Sequence, residues 1–187
     1  MTTVSTQQPA PVAEGENDNK FLTFRLGSEE YGVGILQVRE IIGLIDITPL
    51  PRTPDFVKGV INLRGKIIPV IELRTKFGLP HAAYTEATCV IVVEASDHDS
   101  AERYKIGVIV DSVSEVLDIP ASAIDTPPCF GGAVRAVFIT GMGKVGAGQD
   151  SRVIILLNMD RVLTCDEATA LPPSEQNPES EAAAEAA

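Results

Sequence analysis

The sequence predicts an all-β fold made of two similar units that pack on each other. Within residues 56–73, two β-branched runs flank Asn62-Leu63-Arg64-Gly65, which is the pattern of a strand, a tight turn and a second strand. The second run, residues 67–71, is apolar on both faces, and such a strand is buried on both. We therefore expect a small barrel on one side of this strand and a second packed body on the other.

A weak internal repeat predicts that the second body lies in the same chain. Four blocks recur in one order: residues 31–36, 38–42, 57–61 and 67–73 are echoed by residues 104–109, 113–117, 134–138 and 153–159. We infer two β units, about 20–80 and about 86–163, in contact through the strands of the last pair of blocks.

The first unit is predicted to contain strands, one ordered loop and one short helix. Residues 21–26 alternate between apolar and polar side chains, as in a half-buried strand. Residues 31–45 continue as further strand. Pro49, Pro51 and Pro54 then exclude helix and central strand, because proline removes a donor and fixes φ. Residues 73–77 have the spacing of a short helix before Gly78.

The second unit is predicted to follow a linker at residues 80–86. Strands are expected at 88–94 and 104–110, with a polar hairpin between them and a long proline- and glycine-containing loop at 120–132. Asn158 is a suitable N-cap for a short helix that runs through Leu163.

The acidic charge is concentrated at the two ends of the sequence. The formal net charge is −11, but residues 1–19 and 166–187 carry nine of the acids and no Lys or Arg. Both ends have the composition of solvated tails, so we place the folded domain at 20–165. That domain has 17 acids and 15 bases, which does not give the basic face needed to bind nucleic acid.

No stretch approaches the ~20 apolar residues of a membrane span, and the N-terminus has no secretion-signal pattern. The sequence therefore predicts a cytoplasmic protein without direct membrane insertion. Cys89, Cys129 and Cys165 have no metal-ligand or redox spacing, and Cys89 is predicted to be a small buried apolar residue.

Three candidate chemical sites have simpler interpretations. Gly141, Gly143 and Gly146 match the dinucleotide fingerprint, but a turn and a strand follow where that fingerprint needs a helix, which favours a glycine-rich hairpin. The acids around His98 (Asp97, Asp99 and Glu102) lack calcium-loop spacing and indicate a solvated hairpin tip. His81 and His98 have no nucleophile partner, so we predict no enzyme activity, no metal and no cofactor.

A binding function has specific candidate residues. Arg64 lies between the turn glycine and the apolar strand, where it could form a structural ion pair with Glu40 or Glu115, or contact a partner. Four apolar residues at matched repeat positions would line both sides of the seam between the units: Val38, Ile41, Val113 and Val116. A groove there could accept an amphipathic helix through apolar anchors.

Three stretches, residues 30–41, 53–70 and 107–117, resemble the CheW family of bacterial chemotaxis coupling proteins. The resemblance covers residues 20–163, and its specific part is Asn-Leu-Arg-Gly followed by an Ile-Pro-Val strand. It implies two SH3-like five-stranded β-barrels around a hydrophobic seam, with short terminal helices. It also implies a non-enzymatic scaffold that joins the cytoplasmic hairpin tips of chemoreceptors to the regulatory domain of the histidine kinase CheA.

The resemblance also implies which residues bind. The receptor would contact Ile35, Val38, Glu40, Ile41, Lys58, Arg64, Ile67, Val113 and Val116, and the kinase would contact Ile47, Thr48, Leu50 and Phe130. The sequence departs from the family near Phe130, because Asp125 stands where a basic residue is expected. Two alternatives remain open: a scaffold of a motility or surface-sensing array, and a small-ligand sensor that uses the seam as a pocket.

Overall fold

A computed structural model describes residues 18–96, 103–127 and 138–164 of the chain. These ranges contain the following strands and helices: β1 Lys20–Leu26, β2 Glu29–Gly34, β3 Val38–Gly43, β4 Val57–Leu63, β5 Lys66–Glu72, α1 Leu73–Lys76, β6 Cys89–Ser96, β7 Arg103–Val110, β8 Ser112–Asp118, β9 Ile124–Asp125, β10 Ile139–Val145, β11 Arg152–Leu157 and α2 Met159–Thr164. The predicted contact residue Phe130, the acidic cluster around His98 and the repeat block 134–137 lie outside the described residues.

The strands form two sheets, which confirms the predicted all-β class. Sheet I has the order β8-β1-β2-β11-β10-β9, and sheet II has the order β3-β6-β7-β5-β4. Neighbouring strands are antiparallel except for β2 with β11 and β5 with β7, which are parallel. Each parallel pair joins strands far apart in sequence, so the fold depends on long-range contacts.

Each sheet encloses a small core of its own. In sheet II, buried residues from β4, β5, β6 and β7 pack together: Ile61, Ile68, Val70, Val90, Val92 and Ile109. In sheet I the corresponding core contains Ile119, Ile154 and Leu156. Ile42 of β3, at the other end of sheet II, packs against the same cluster as Ile61 of β4. Side chains from both ends of a sheet meet in one cluster only if the sheet curls, as a barrel does. Backbone hydrogen bonds of 2.9 Å between Thr48 and Val60 help to close sheet II by joining the segment after β3 to β4.

A third core lies between the two sheets and is the largest. Sheet I contributes Leu22, Phe24, Tyr31 and Leu157 among others, and sheet II contributes Ile71, Ile91, Val93, Ile106 and Val108 among others. Strand β5 therefore places Ile68 and Val70 in its own barrel and Ile71 in the shared core. This arrangement confirms that β5 is buried on both faces.

The two sheets do not follow the predicted units 20–80 and 86–163. The hairpin β1–β2 joins sheet I with the strands after β7, and the hairpin β6–β7 joins sheet II with β3, β4 and β5. Each sequence unit thus gives its first hairpin to the other barrel. The repeat could not reveal this exchange, because two copies of one pattern produce hairpins that fit either barrel.

Strand pairing defines which positions of the repeat correspond. Val70 of β5 lies opposite Gly107 of β7, and Leu156 of β11 lies opposite Gly32 of β2. A Cβ at Gly32 would come within 2.9 Å of Leu156, and one at Gly107 within 2.8 Å of Val90, so both glycines leave space for their barrel cores. By this register β1 to β5 correspond to β6, β7, β8, β10 and β11.

The register corrects two predicted blocks of the repeat. Because Gly32 corresponds to Gly107, residues 31–36 match residues 106–111 rather than 104–109. Strand β4 corresponds to β10, residues 139–145, rather than to residues 134–138. Both strands carry a register irregularity at the same place, before Gly59 in β4 and before Gly141 in β10. The correspondence of β4 with β10 could not be seen in the sequence, because the Gly-Met-Gly run of β10 has few of the β-branched residues that mark β4.

The short elements agree with their sequence signals. Helix α1 begins at Leu73, and α2 follows Asn158, whose Oδ1 accepts a hydrogen bond from the Arg161 N–H at 3.1 Å. Gly141 and Gly143 lie inside β10, which continues through a 3₁₀ turn into β11. The interpretation of this segment as a glycine-rich hairpin is therefore confirmed.

Candidate partner-binding site

The predicted groove residues lie on two strands that end their sheets. Strand β3 is the outermost strand of sheet II at one end, and β8 is the outermost strand of sheet I. Val38 of β3 and Val113 of β8 pack against the shared core, whereas Ile41 is 44% exposed and Val116 is 50% exposed. We call these four residues the β3–β8 groove.

A contact at Cys89 shows that the two groove strands lie close together. Cys89 begins β6 opposite Gly43 of β3, and its thiol hydrogen-bonds with the backbone of Val113 in β8. Burial raises the pKa of the Cys89 thiol, and this hydrogen bond partly opposes the shift. The half-buried thiol therefore packs at the join between the sheets, close to its predicted role as a small core residue.

Two further predicted receptor residues lie on other elements than the groove strands, and two exposed apolar residues were missed. Ile35 packs against the shared core, and Ile67 is 58% exposed at the start of β5. Leu36, 55% exposed, follows Ile35 in a 3₁₀ turn, and Val153, 49% exposed, matches Ile67 in the repeat. The sequence repeat could have identified Val153, since it places Val153 and Ile67 at corresponding positions.

Arg64 occupies a backbone conformation that arginine rarely adopts. Leu63 and Lys66 form the last pair of the β4–β5 hairpin, so Arg64 and Gly65 are its two-residue loop. Their φ angles are +54° and +82°, the left-handed pair of a type I′ turn, for which Asn-Gly or Gly-Gly is preferred. The Gly65 N–H donates to Asn62 Oδ1 at 2.9 Å and stabilises the turn.

The guanidinium of Arg64 is exposed and paired. Its Nη2 lies 2.6 Å from Oε1 of Glu40, with 79% of the Arg64 side chain and 28% of the Glu40 side chain exposed. Of the two predicted acids, Glu40 is therefore the partner, and Glu115 pairs instead with Arg152 at 2.5 Å. An exposed ion pair contributes about 0–1 kcal/mol, whereas a left-handed non-glycine residue costs about 1–3 kcal/mol. The pair alone does not explain an arginine at this position.

Lys58 lies apart from Arg64, at the opposite end of β4. Its ammonium is 3.0 Å from the carboxylate of Glu72, which is 2% exposed and also accepts hydrogen bonds from Thr75 and from the Tyr84 hydroxyl, the latter at 2.9 Å. Burial raises the pKa of Glu72, but these donors outweigh it and leave the pKa lowered. Burial and the bond to Glu72 raise the pKa of Tyr84 to about 12. The structure gives Lys58 a partner inside the protein.

Three of the four predicted kinase-contact residues lie on the loop that passes over β4. Ile47 packs against the core of sheet II, Thr48 is exposed, and the Leu50 carbonyl accepts a hydrogen bond from Thr53 Oγ1 at 3.1 Å. Gly59 allows the loop to pass this close to β4. Its φ is +139°, and a Cβ there would lie 2.0 Å from the Thr48 carbonyl oxygen. The same loop exposes 41% of Ile45, which the sequence analysis did not select.

Other classes of site find little support in the described ranges. Among residues 18–96, 103–127 and 138–164, no cluster of His, Cys, Asp and Glu is arranged to hold a metal ion. The helices in that part of the chain are too short to span a bilayer. What the residues do assemble is an apolar groove with an ion pair at one side.

Comparisons with known proteins agree with this architecture. The family model described as CheW-like domain matches residues 20–167. The chemotaxis protein CheW of Klebsiella aerogenes is 40% identical over 148 residues, which cover 79% of this chain and 83% of that protein. Protein FrzA of Myxococcus xanthus is 31% identical over 154 residues, covering 82% and 91% of the two chains. The crystal structure of the scaffolding protein TtCheW from Thermoanaerobacter tengcongensis matches with a TM-score of 0.68 and 34% identity, over 80% of this chain and 95% of that one.

Proposed function

The chain belongs to the CheW-like family, and we propose that it couples methyl-accepting chemoreceptors to the histidine kinase CheA. The family consists of non-catalytic scaffolds of chemotaxis signalling, so the proposed role is that of an adaptor rather than an enzyme. The adaptor acts in the cytoplasm and is recruited to membrane-associated receptor arrays by the proteins it binds.

The observation that carries the proposal is the strained, exposed Arg64 beside an apolar groove. Protein folds retain such backbone strain mainly where it serves function. The β3–β8 groove offers Ile41 and Val116 as exposed apolar anchors, and the Arg64–Glu40 pair presents both signs of charge. A receptor hairpin tip is an amphipathic helical surface, which binds such a groove through apolar contacts worth ~25 cal/mol per Å² buried. The charged pair would set its orientation.

The kinase contact is proposed on a different surface, the loop that contains Ile47, Thr48 and Leu50. Because Ile47 is held in the sheet II core and Thr48 is bonded to Val60, the loop is fixed to its barrel. Phe130 is proposed as a second kinase contact. Asp125, five positions earlier in the sequence, forms an ion pair of 2.5 Å with Lys144, which offsets the acidic charge where a basic residue was expected.

This arrangement suggests a mechanism that needs no chemistry in the adaptor. The receptor groove and the kinase loop belong to one body, whose sheets share the large central core. A receptor shift transmitted through the groove strands therefore moves the kinase domain with it. Lys58 has a structural role at Glu72 in this scheme, and any receptor contact uses the 28% of its side chain that is exposed.

The test uses substitutions at Arg64 that separate strain from charge. Arg64→Gly removes the guanidinium and relieves the left-handed strain, whereas Arg64→Ala removes the guanidinium and keeps the strain. Arg103→Ala is the matched control, since Arg103 is 72% exposed and pairs with Glu94 of β6 at 3.1 Å. Glu94 keeps its 2.8 Å contact with Arg39 of β3 in this variant. Purified wild type and variants are incubated with solubilised receptors and kinase, and the bound proteins are identified and quantified.

We expect both Arg64 variants to lose receptor while they retain kinase, and Arg103→Ala to bind both like the wild type. Wild-type protein that recovers neither partner would contradict the proposal. Recovery of a receptor-like protein and kinase from another array would instead support the motility alternative, which the relative named FrzA keeps relevant.

A further inference from the structure

Two corresponding sets of side-chain contacts fix the segments in which the chain passes from one sheet to the other. The chain leaves sheet II at the end of β7 and enters sheet I at β8, with only Asp111 between them. It leaves sheet I at the end of β2 and enters sheet II at β3, through the 3₁₀ turn Ile35–Gln37. These two crossings immediately precede the two groove strands.

The first crossing is held by Arg74 of α1. The Arg74 guanidinium forms an ion pair with Oδ2 of Asp111, and its Nε–H donates to the Pro80 carbonyl at 3.0 Å. The same Asp111 oxygen accepts the Gly27 N–H at 2.7 Å, from the turn between β1 and β2. One carboxylate thus connects a helix that follows sheet II with a turn of sheet I, and Arg74 is only 15% exposed.

The second crossing is held by Asp160 of α2. Its Oδ1 accepts the Ser96 N–H at 2.7 Å, and its Oδ2 accepts a hydrogen bond from Gln37 Nε2 at 3.3 Å. Gln37 is the last residue before β3. Helix α2 follows the last strand of sheet I. Of the two residues that Asp160 binds, Ser96 belongs to sheet II and Gln37 to the crossing that leads into sheet II.

The two contacts occupy corresponding positions of the repeat. Val70 corresponds to Leu156 by strand register, so the residues four positions later, Arg74 and Asp160, correspond as well. Phe24 lies opposite Tyr31 and Val93 lies opposite Ile106, which makes Gly27 and Ser96 corresponding residues. The corresponding N–H groups of Gly27 and Ser96 therefore each donate to a carboxylate that also fixes a crossing. That carboxylate belongs to Asp111, in the crossing itself, in one case and to Asp160, in helix α2, in the other.

We propose that Arg74 and Asp160 are positioning residues for the receptor groove, an inference that rests on the proposed function. Arg74 fixes the start of β8 through Asp111, and Asp160 fixes the start of β3 through Gln37. Together they set the separation of the strands that carry Val113 and Val116 on one side and Val38 and Ile41 on the other. Neither residue is one of the groove residues.

The experiment compares Arg74→Met, Asp160→Asn and the conservative Arg74→Lys in the full chain, with Arg103→Met as control. Amide ¹H–¹⁵N shifts of the isolated protein report the groove strands directly. Affinity for a purified receptor hairpin-tip fragment and for the kinase regulatory domain is then measured for each variant, at a temperature where thermal unfolding shows every variant to be folded.

We expect Arg74→Met to shift the amides of β8 and Asp160→Asn to shift those of β3, with receptor affinity reduced about three- to tenfold and kinase affinity unchanged. Arg74→Lys should restore much of the affinity, because it keeps the charge facing Asp111. Shifts confined to the substituted helices, with wild-type receptor affinity, would overturn the positioning role and leave the proposed function intact. A wild-type protein that binds no receptor fragment would overturn both.

Discussion

The two barrels share one strand plan but differ at the turn that leads into their last strand. In sheet II a two-residue turn carries Arg64 with φ of +54°, whereas in sheet I the chain passes through the 3₁₀ turn Gly148–Asp150 to Arg152 at the start of β11. Glu40 and Glu115 match in the repeat, and each binds one of these arginines.

Arg152 has a simple structural explanation that Arg64 lacks. Its guanidinium contacts two acids, Glu115 at 2.5 Å and Glu30 at 3.3 Å, which link β11 to β8 and β2, and these acids raise its pKa. Arg64 contacts a single acid from a strained backbone and is more exposed. Features common to both barrels therefore serve the fold, and the strained Arg64, which has no counterpart in the matching described turn of sheet I, indicates a partner.

The strongest test of the shared plan is to separate the sequence units. Each barrel takes a hairpin from the other unit, so fragments 1–83 and 84–187 should each be unfolded alone and should regain structure when mixed. The breaks fall in the linker, outside the strands. Circular dichroism and amide spectra of the separate and mixed fragments check this.

A folded spectrum from either fragment alone would mean that a unit can complete a barrel without the exchanged hairpin. Intact chain carrying a protease site in the linker is the control, because cleavage after folding should leave the two parts associated. In the separate fragments we expect no cooperative unfolding transition.

Substitution by alanine should lower the unfolding free energy more at Gly59 of β4 than at the corresponding Gly141 of β10. Gly59→Ala should cost about 3 kcal/mol of unfolding free energy, because φ is +139° and the Cβ would meet the fixed Thr48 backbone. At Gly141, φ is not in the left-handed region, and the added Cβ meets a methyl group of Ile124 at 2.4 Å, on the two-residue strand β9. We expect about half the cost there. Chemical denaturation measures both, and equal costs would show that the loop over β4 can move aside.

The two barrels also differ at the corresponding residues Glu72 and Asn158, and only Glu72 should make the unfolding free energy depend on pH. Each precedes a helix, but Glu72 is a buried carboxylate bound by Lys58, Thr75 and Tyr84. Because its folded pKa is lowered, its stabilisation is present above the unfolded pKa of about 4.3 and is lost as pH falls through the folded value. Glu72→Gln should cost about 2 kcal/mol at pH 7 and much less at pH 3.

The control for this prediction is Glu86→Gln, at an exposed acid of the linker. Urea denaturation at several pH values gives the unfolding free energies of all three proteins. A loss at Glu72 that is equal at pH 7 and pH 3 would contradict the role assigned to its charge.

Much of the fold could be predicted from local patterns, whereas the pairing between repeats could not. Strand β5 was identified because both of its faces are apolar, and α2 because Asn158 is a good N-cap. The exchanged hairpins depend on parallel pairs such as β2 with β11, for which neighbouring residues carry no signal. At the candidate site, the apolar groove positions followed from the repeat, but the left-handed φ of Arg64 and the engagement of Lys58 by Glu72 required tertiary structure.

The smallest expected effect on stability concerns the two arginines and tests the comparison most directly. Arg64→Gly loses an exposed ion pair worth about 0–1 kcal/mol and gains about 1 kcal/mol from relief of strain, so the melting temperature should stay level or rise. Arg152→Ala removes contacts with two acids and gains nothing from the backbone, so its melting temperature should fall by a few degrees. Differential scanning calorimetry at low and high salt measures both. Salt should reduce the loss caused by Arg152→Ala, and by screening the Arg64–Glu40 pair of the wild type it should shift the effect of Arg64→Gly further toward stabilisation. If Arg64→Gly unfolds at a lower temperature than Arg152→Ala, then Arg64 serves the barrel itself, and loss of receptor binding in that variant reports a damaged fold rather than a lost contact.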